Sequence, residues 1–155
     1  MAALPAGPPP VGAPRSEMVA ANVVARWRAM GRRCTPGKMA LLRVLADHAP
    51  EHLSASTLCR LVNEAGWAAV ISGVHKALSD FTTAGLTHTL HTAGPVSYGL
   101  AHPAHHHAIC EGCGAVTEIP PDTLIAAIAA ARRATDYLLL PGGLTLHGLC
   151  PACLD

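Results

Sequence analysis

Four cysteines fall into two matched pairs near the C-terminus, Cys110-x-x-Cys113 and Cys150-x-x-Cys153. Each pair can present two thiolates to one ion, and two pairs complete the tetrahedral four-sulfur shell that Zn²⁺ takes in structural sites. Gly112, Gly114 and Pro151 suit the tight turns that bring paired sulfurs together. Redox disulfides and a rubredoxin-like iron centre use the same spacing, but the duplicated motif favours structural zinc. The two pairs lie about 40 residues apart, so a small domain whose end is stapled back onto its start is expected.

Composition makes such a staple useful. Half of the 155 residues are hydrophobic, yet Trp, Tyr and Phe together number only five and alanine supplies much of the rest. A core of this kind is thin per residue, which raises the value of a metal or an oligomer interface. No apolar run reaches the ~18 residues of a membrane span. Residues 1–14 are rich in Pro and Gly and lack the charged start and apolar stretch of an export signal; they read as a disordered tail. A cytoplasmic, reducing setting follows, and it favours metal over disulfide. Charge is uneven: residues 1–100 hold nine Lys or Arg against five Asp or Glu, and residues 101–155 hold two against five. A basic first half suits a nucleic-acid module joined to something else.

Along the chain, residues 16–32 read as a helix with an arginine-rich end. Thr35 before Pro36 is an N-cap with proline at the first helical position, opening a second helix to about His48. Ser54 or Ser56 caps a third helix that Gly66 ends. A fourth spans roughly 72–84, with Val74, Leu78 and Phe81 on its inner side and Gly85 at its end. Strands at 86–91 and 96–100 joined by Thr92–Pro95 form a hairpin. Three helices ending in a helix-turn-helix, followed by a hairpin, describe a winged helix over residues 15–100, whose second helix in the pair enters a major groove. A short linker, 101–107, leads to an α+β domain over 108–155: strands at 108–110 and 115–119, a helix from Asp122 to about Thr135, and β-like segments at 137–140 and 144–149, closed by the zinc.

These features carry a resemblance. Thr35–Pro36, His52–Ala55, the Gly85–Leu86 hairpin entry, His105–Cys110, Cys113–Glu118 and the ending His147–Cys153 together resemble the ferric uptake regulator family of metal-dependent repressors. They look most like its zinc uptake regulator branch. The resemblance covers about residues 18–154 and implies a cytoplasmic homodimer that binds double-stranded DNA, not an enzyme. Where the family's recognition helix carries Thr-Val-Tyr-Arg, this chain has Gly73-Val74-His75-Lys76; Lys76 lacks arginine's bidentate fork, so the operator is expected to differ. An accessory site of iron-type members is not expected, because its positions hold Ile125 and Gly142.

Ten histidines cluster suggestively. If residues 105–107 are extended, His105 and His107 point to one side and His106 to the other. The resemblance assigns the wing histidine His88, one interdomain histidine and Glu118 as ligands of a second, regulatory ion, with a cysteine as the fourth ligand. That place is Ala101 here, beside His102. The expected ligands are therefore His88, His102, His105 and Glu118, with His107 as substitute; His52 matches a ligand of iron-type members only. Imidazole and carboxylate suit Zn²⁺ and also Fe²⁺, Mn²⁺ or Ni²⁺, so zinc sensing has iron, manganese, nickel and peroxide sensing as alternatives, along with metal binding without DNA. His48, His75, His91 and His147 read as surface, DNA-contact or structural residues. Arg26, Arg28, Arg32, Arg33, Lys38 and Lys76 are candidate phosphate contacts, with Ser72 and His75 beside them on the recognition helix. No H-E-x-x-H run is present, which argues against a zinc hydrolase.

Overall fold

The computed structural model describes residues 15–135, 137 and 143–154. Four helices come first: α1 (Arg15–Ala29), α2 (Pro36–Asp47), α3 (Ala55–Glu64) and α4 (Ile71–Thr83), with a two-residue strand β1 (Leu53–Ser54) between α2 and α3. A hairpin of β2 (Thr87–Leu90) and β3 (Ser97–Leu100) follows. Then come β4 (His106–Cys110), β5 (Val116–Ile119), a 3₁₀ turn (Pro121–Leu124), α5 (Ile125–Thr135), β6 (Thr145–Gly148) and a final 3₁₀ turn (Pro151–Cys153). No helix among the described residues is long and apolar enough to cross a membrane.

Local chemistry sets the helix ends. Thr35 Oγ1 accepts from the Lys38 backbone N–H at 3.4 Å with Pro36 at the first helical position, as its sequence predicts. At α3 the cap is Ser54, whose Oγ accepts from Thr57 N at 3.2 Å; Ser56 only touches the Ser54 hydroxyl. Helix α4 ends at Gly85, whose φ of 69° takes the left-handed turn, and Leu86 N donates to Phe81 O at 2.9 Å to close it. The turn between α3 and α4 is clamped by Asn63, which both donates to Ala69 O and accepts from Ala69 N, each at 3.0 Å. That clamp fixes how α4 leaves α3. Helix α1 stops at Ala29, short of the expected Arg32, and Gly31 follows with φ 72°.

The apolar stripes of α1–α4 meet in one core. Trp27, Leu41, Leu42, Leu45, Leu58, Leu78, Phe81 and Leu86 are buried there. Trp27 and Phe81 meet edge to face with ring centroids 5.1 Å apart, and Trp27 Nε1 donates to Arg33 O at 3.0 Å, so the buried indole keeps a partner. The first sheet has the order β1-β3-β2, all antiparallel, with Leu53 opposite Tyr98 and His88 opposite Gly99. This is the expected winged helix, with β1 added to the wing.

The second sheet has the order β5-β4-β6, with β4 antiparallel to β5 and parallel to β6. Its central strand is buried through His106, His107, Ile109 and Cys110. Its flanks are not: α5 has no buried residue, and Ile125, Leu146 and Leu149 are exposed. Of the β-like segment expected at 137–140, only Tyr137 is described. Gly142, residues 1–14 and Asp155 also lie outside the described residues.

Candidate metal centres and nucleic-acid interface

Cys110, Cys113, Cys150 and Cys153 bring their sulfurs within 4.8 Å of one another. Cys110 ends β4 and Cys113 follows in the turn, whose Gly114 has φ 74°. A Cβ on Gly112 would sit 3.1 Å from the Cys153 sulfur, so the bare glycine lets the second pair approach this knuckle closely. The Cys110 sulfur accepts from Cys150 N at 3.3 Å and Cys113 N at 3.5 Å. Those backbone donors pull the Cys110 thiol down to about 6, with Cys150 N the largest cause. Cys153, surrounded by the sulfurs of Cys150, Cys113 and Cys110, is pushed up to about 12. Four crowded sulfurs that cannot all ionise without a counter-charge, with backbone donors aimed at one of them, fit a metal tetrad.

A second tetrad is built from nitrogen. His52, His88, His105 and His107 place one ring nitrogen each within 4.8 Å of the others. His52 Nε2 and His88 Nε2 lie 2.7 Å apart. His105 Nδ1 donates to Pro103 O at 2.7 Å, which leaves its Nε2 lone pair facing the group. His107 is fully buried, and neither of its ring nitrogens has a hydrogen-bond partner among the described residues, nor does His105 Nε2. Buried unpartnered nitrogens cost stability unless something binds them.

Burial also favours the neutral form of three of these rings, His52, His88 and His107. Desolvation, then the neighbouring imidazoles, lowers His88 to about 3. His52 falls to about 4 through desolvation and then His105, and His107 to about 4 through desolvation and then His52, His105 and His106. Four imidazoles converging with one ring nitrogen each are the donor set of a divalent transition metal. The donors come from both sheets: His52 precedes β1, His88 lies on β2, and His105 and His107 enter and occupy β4.

The structure groups the residues differently from the sequence-based ligand set in three respects. His102 is not in the group; it follows β3, and its ring is desolvated near Arg26 of α1. His52 takes a place in it, because β1 pairs with β3 and carries the preceding residue across to His88. Glu118 pairs with His107 across β4 and β5, and its Oε1 stands 3.6 Å from His105 Nε2, on the rim. A cavity of about 450 Å³ opens beside the tetrad, lined by His52, His102, His105 and Glu118 among others. The alternation of 105–107 is as expected: His106 turns away and its Nδ1 accepts from Leu144 N at 3.0 Å.

Helix α4 exposes Ser72, His75 and Lys76. Arg32 is exposed too, with its guanidinium carbon 5.1 Å from the Trp27 ring centroid. Lys38 is different. Its Nζ lies 2.7 Å from Asp80 Oδ2 and 4.7 Å from the Trp27 centroid, so this expected phosphate contact is engaged within the fold and ties α2 to α4. Sequence reasoning passed over Trp67, Val70 and Ile71, exposed apolar residues leading into α4; an apolar run just before a recognition helix was the available signal.

Comparison with known proteins agrees with this architecture. The profile of the ferric uptake regulator family matches residues 29–142. The ferric uptake regulation protein of Synechococcus elongatus is 33% identical over 138 residues, covering 86% of this chain and 94% of its own. That of Bacillus subtilis is 32% identical over 127 residues, covering 78% and 85%. Among solved structures, a ferric uptake regulator from Pseudomonas aeruginosa with manganese is 25% identical with a TM-score of 0.69, over 83% of this chain and 97% of that one. A zinc uptake regulator complexed with zinc and DNA is 26% identical with a TM-score of 0.63, over 92% and 97%.

Proposed function

The chain belongs to the ferric uptake regulator family, and we propose that it is a metal-dependent, DNA-binding repressor that responds to zinc and controls metal uptake. The observation that carries this reading is the four-histidine group, which draws on both sheets. Without a cation, the converging imidazoles offer little to hold β1, β2 and β4 together. A divalent cation supplies the shared positive centre that they lack. With His52, His88, His105 and His107 as common ligands, the wing and the C-terminal sheet are held in one arrangement. The free energy of that closure is then available to DNA binding.

The donor chemistry supports zinc. Four nitrogens with no carboxylate inside the group suit Zn²⁺ better than the oxygen-preferring Mn²⁺. Glu118, on the rim, would add an oxygen donor and is the feature that favours an iron reading instead. The cysteine tetrad serves a different purpose, a structural Zn²⁺ that holds β4 to the chain end.

A homodimer gives the switch its DNA geometry. The exposed apolar surface of the C-terminal part, with Ile125, Leu146 and Leu149, supplies material for an interface. Two copies then present their α4 helices about 34 Å apart, one turn of DNA. Arg32, Ser72, His75 and Lys76 are the contacts, with the charges on phosphate and Ser72 and His75 near base edges. Fluorescence anisotropy with promoter DNA, with and without Zn²⁺, tests the reading. Zinc-dependent binding is expected, and metal-independent failure to bind any family-type operator would sink it.

A further inference from the structure

The four-histidine group depends on a residue that carries no chemistry of its own. We propose that Gly99 is the positioning residue that admits His52 to the metal site, so that a bare α-carbon in the wing decides whether the site has four imidazoles or three. This inference rests on the metal-site reading above and goes beyond it in explaining what selects the ligand set.

Gly99 lies in β3, directly opposite His88 in β2, and it is buried. Paired residues in an antiparallel ladder project their side chains to the same face. A Cβ built on Gly99 would therefore enter the histidine group. It would stand 2.5 Å from both Cδ2 and Nε2 of His52 and 3.2 Å from Cε1 of His88. A separation of 2.5 Å is well inside van der Waals contact, and it involves the His52 nitrogen that faces His88. The φ of Gly99 is not in the left-handed region, so the backbone there accepts any residue. What excludes a side chain is the ring of His52.

The position of that ring explains the consequence. His52 reaches the group because β1 pairs with β3 and sets Leu53 opposite Tyr98, one residue from Gly99. The imidazole then lies across the β3 backbone where a side chain at 99 would be. Any other residue at 99 pushes His52 outward and leaves His88, His105 and His107. His52 also stands two residues before the α3 cap, Ser54. Losing it from the site separates the metal from the entry to the helix-turn-helix while the wing and β4 stay joined.

The test uses the full-length protein and Co²⁺ alone as a spectroscopic probe. Cobalt in the cysteine tetrad gives thiolate-to-metal charge-transfer absorption, and cobalt among imidazoles gives only ligand-field bands, so the two sites are read separately. Gly99→Ala is expected to weaken binding at the histidine site by about tenfold or more and to alter its ligand-field bands as His52→Ala does. The charge-transfer band should be unchanged. Adding Gly99→Ala to His52→Ala should cost nothing further, because the ring it displaces is already gone. Wild-type cobalt binding by Gly99→Ala, with His52→Ala impaired, overturns the role of Gly99 and leaves the metal site standing. Wild-type binding by both His52→Ala and His88→Ala overturns the metal site and this proposal with it. If Gly99→Ala alone does not fold, the double variant decides. A folded double variant supports the clash, and an unfolded one contradicts it.

Discussion

The two tetrads offer the same number of donor atoms in opposite settings. The sulfur tetrad is local: all four cysteines belong to the C-terminal sheet and its closing turn, and Cys113 is exposed while Cys150 and Cys153 are partly so. The nitrogen tetrad is distributed over the segment before β1, over β2 and over β4, and it includes the fully buried His107. A local thiolate site binds before anything else has to move, and its ion becomes part of the fold. A distributed neutral site exists only when separate elements are already together, so binding there reports on and favours that arrangement. The same contrast appears in the surrounding packing. The helices of the first half share a core of Trp27, Phe81 and leucines, whereas no residue of α5 is fully buried. The half with the thinner packing among the described residues carries the sulfur tetrad.

Cys150→Ser should remove zinc from the sulfur tetrad and unfold the C-terminal part, since structural zinc contributes on the order of 10 kcal/mol or more of apparent folding energy. Loss of the higher-affinity ion by elemental analysis and loss of β-sheet signal check it; a folded, zinc-loaded variant would break the contrast. His107→Ala should leave that ion in place but abolish the exchangeable one and reduce metal-dependent DNA affinity by about 100-fold, within the usual range of coupling energies. Anisotropy titrations at fixed salt measure it. Ser54→Ala removes the α3 cap and should cost about 1 kcal/mol of stability, seen as a lower melting temperature, with the metal stoichiometry of both sites unchanged. Glu118→Gln should have the smallest effect, a severalfold change in affinity at the histidine site, because the carboxylate stands on the rim and not among the four nitrogens. A loss as large as that of His107→Ala would make Glu118 a ligand and shift the reading toward iron.

Much of this was legible because it is local. The Thr35–Pro36 and Ser54 caps, Gly85 after α4, the wing hairpin and the two C-x-x-C turns depend on residues within a few positions of one another. The alternation of 105–107 followed from strand geometry alone, and it separated His106 from its neighbours as expected. What the sequence hid is long-range. Strand β1 is two residues long, too short for any periodicity, yet its pairing with β3 puts His52 beside His88 and leaves His102 out. Lys38 read as a free cation because Asp80, its partner, lies 42 residues away. The proposed need for glycine at 99 was invisible for the same reason: the ring beside it belongs to His52, 47 residues earlier and just before β1.

In the proposed function one ion is structural and the other is the signal. Zinc content and DNA affinity of the wild-type protein, measured on one sample before and after mild chelation, test it most directly. About two zinc ions per chain are expected before chelation and about one after. The retained ion should sit with the cysteines, and operator binding should disappear with the ion that leaves and return when zinc is restored. Loss of both ions together with unfolding, or undiminished DNA binding once the weaker ion is gone, would contradict it.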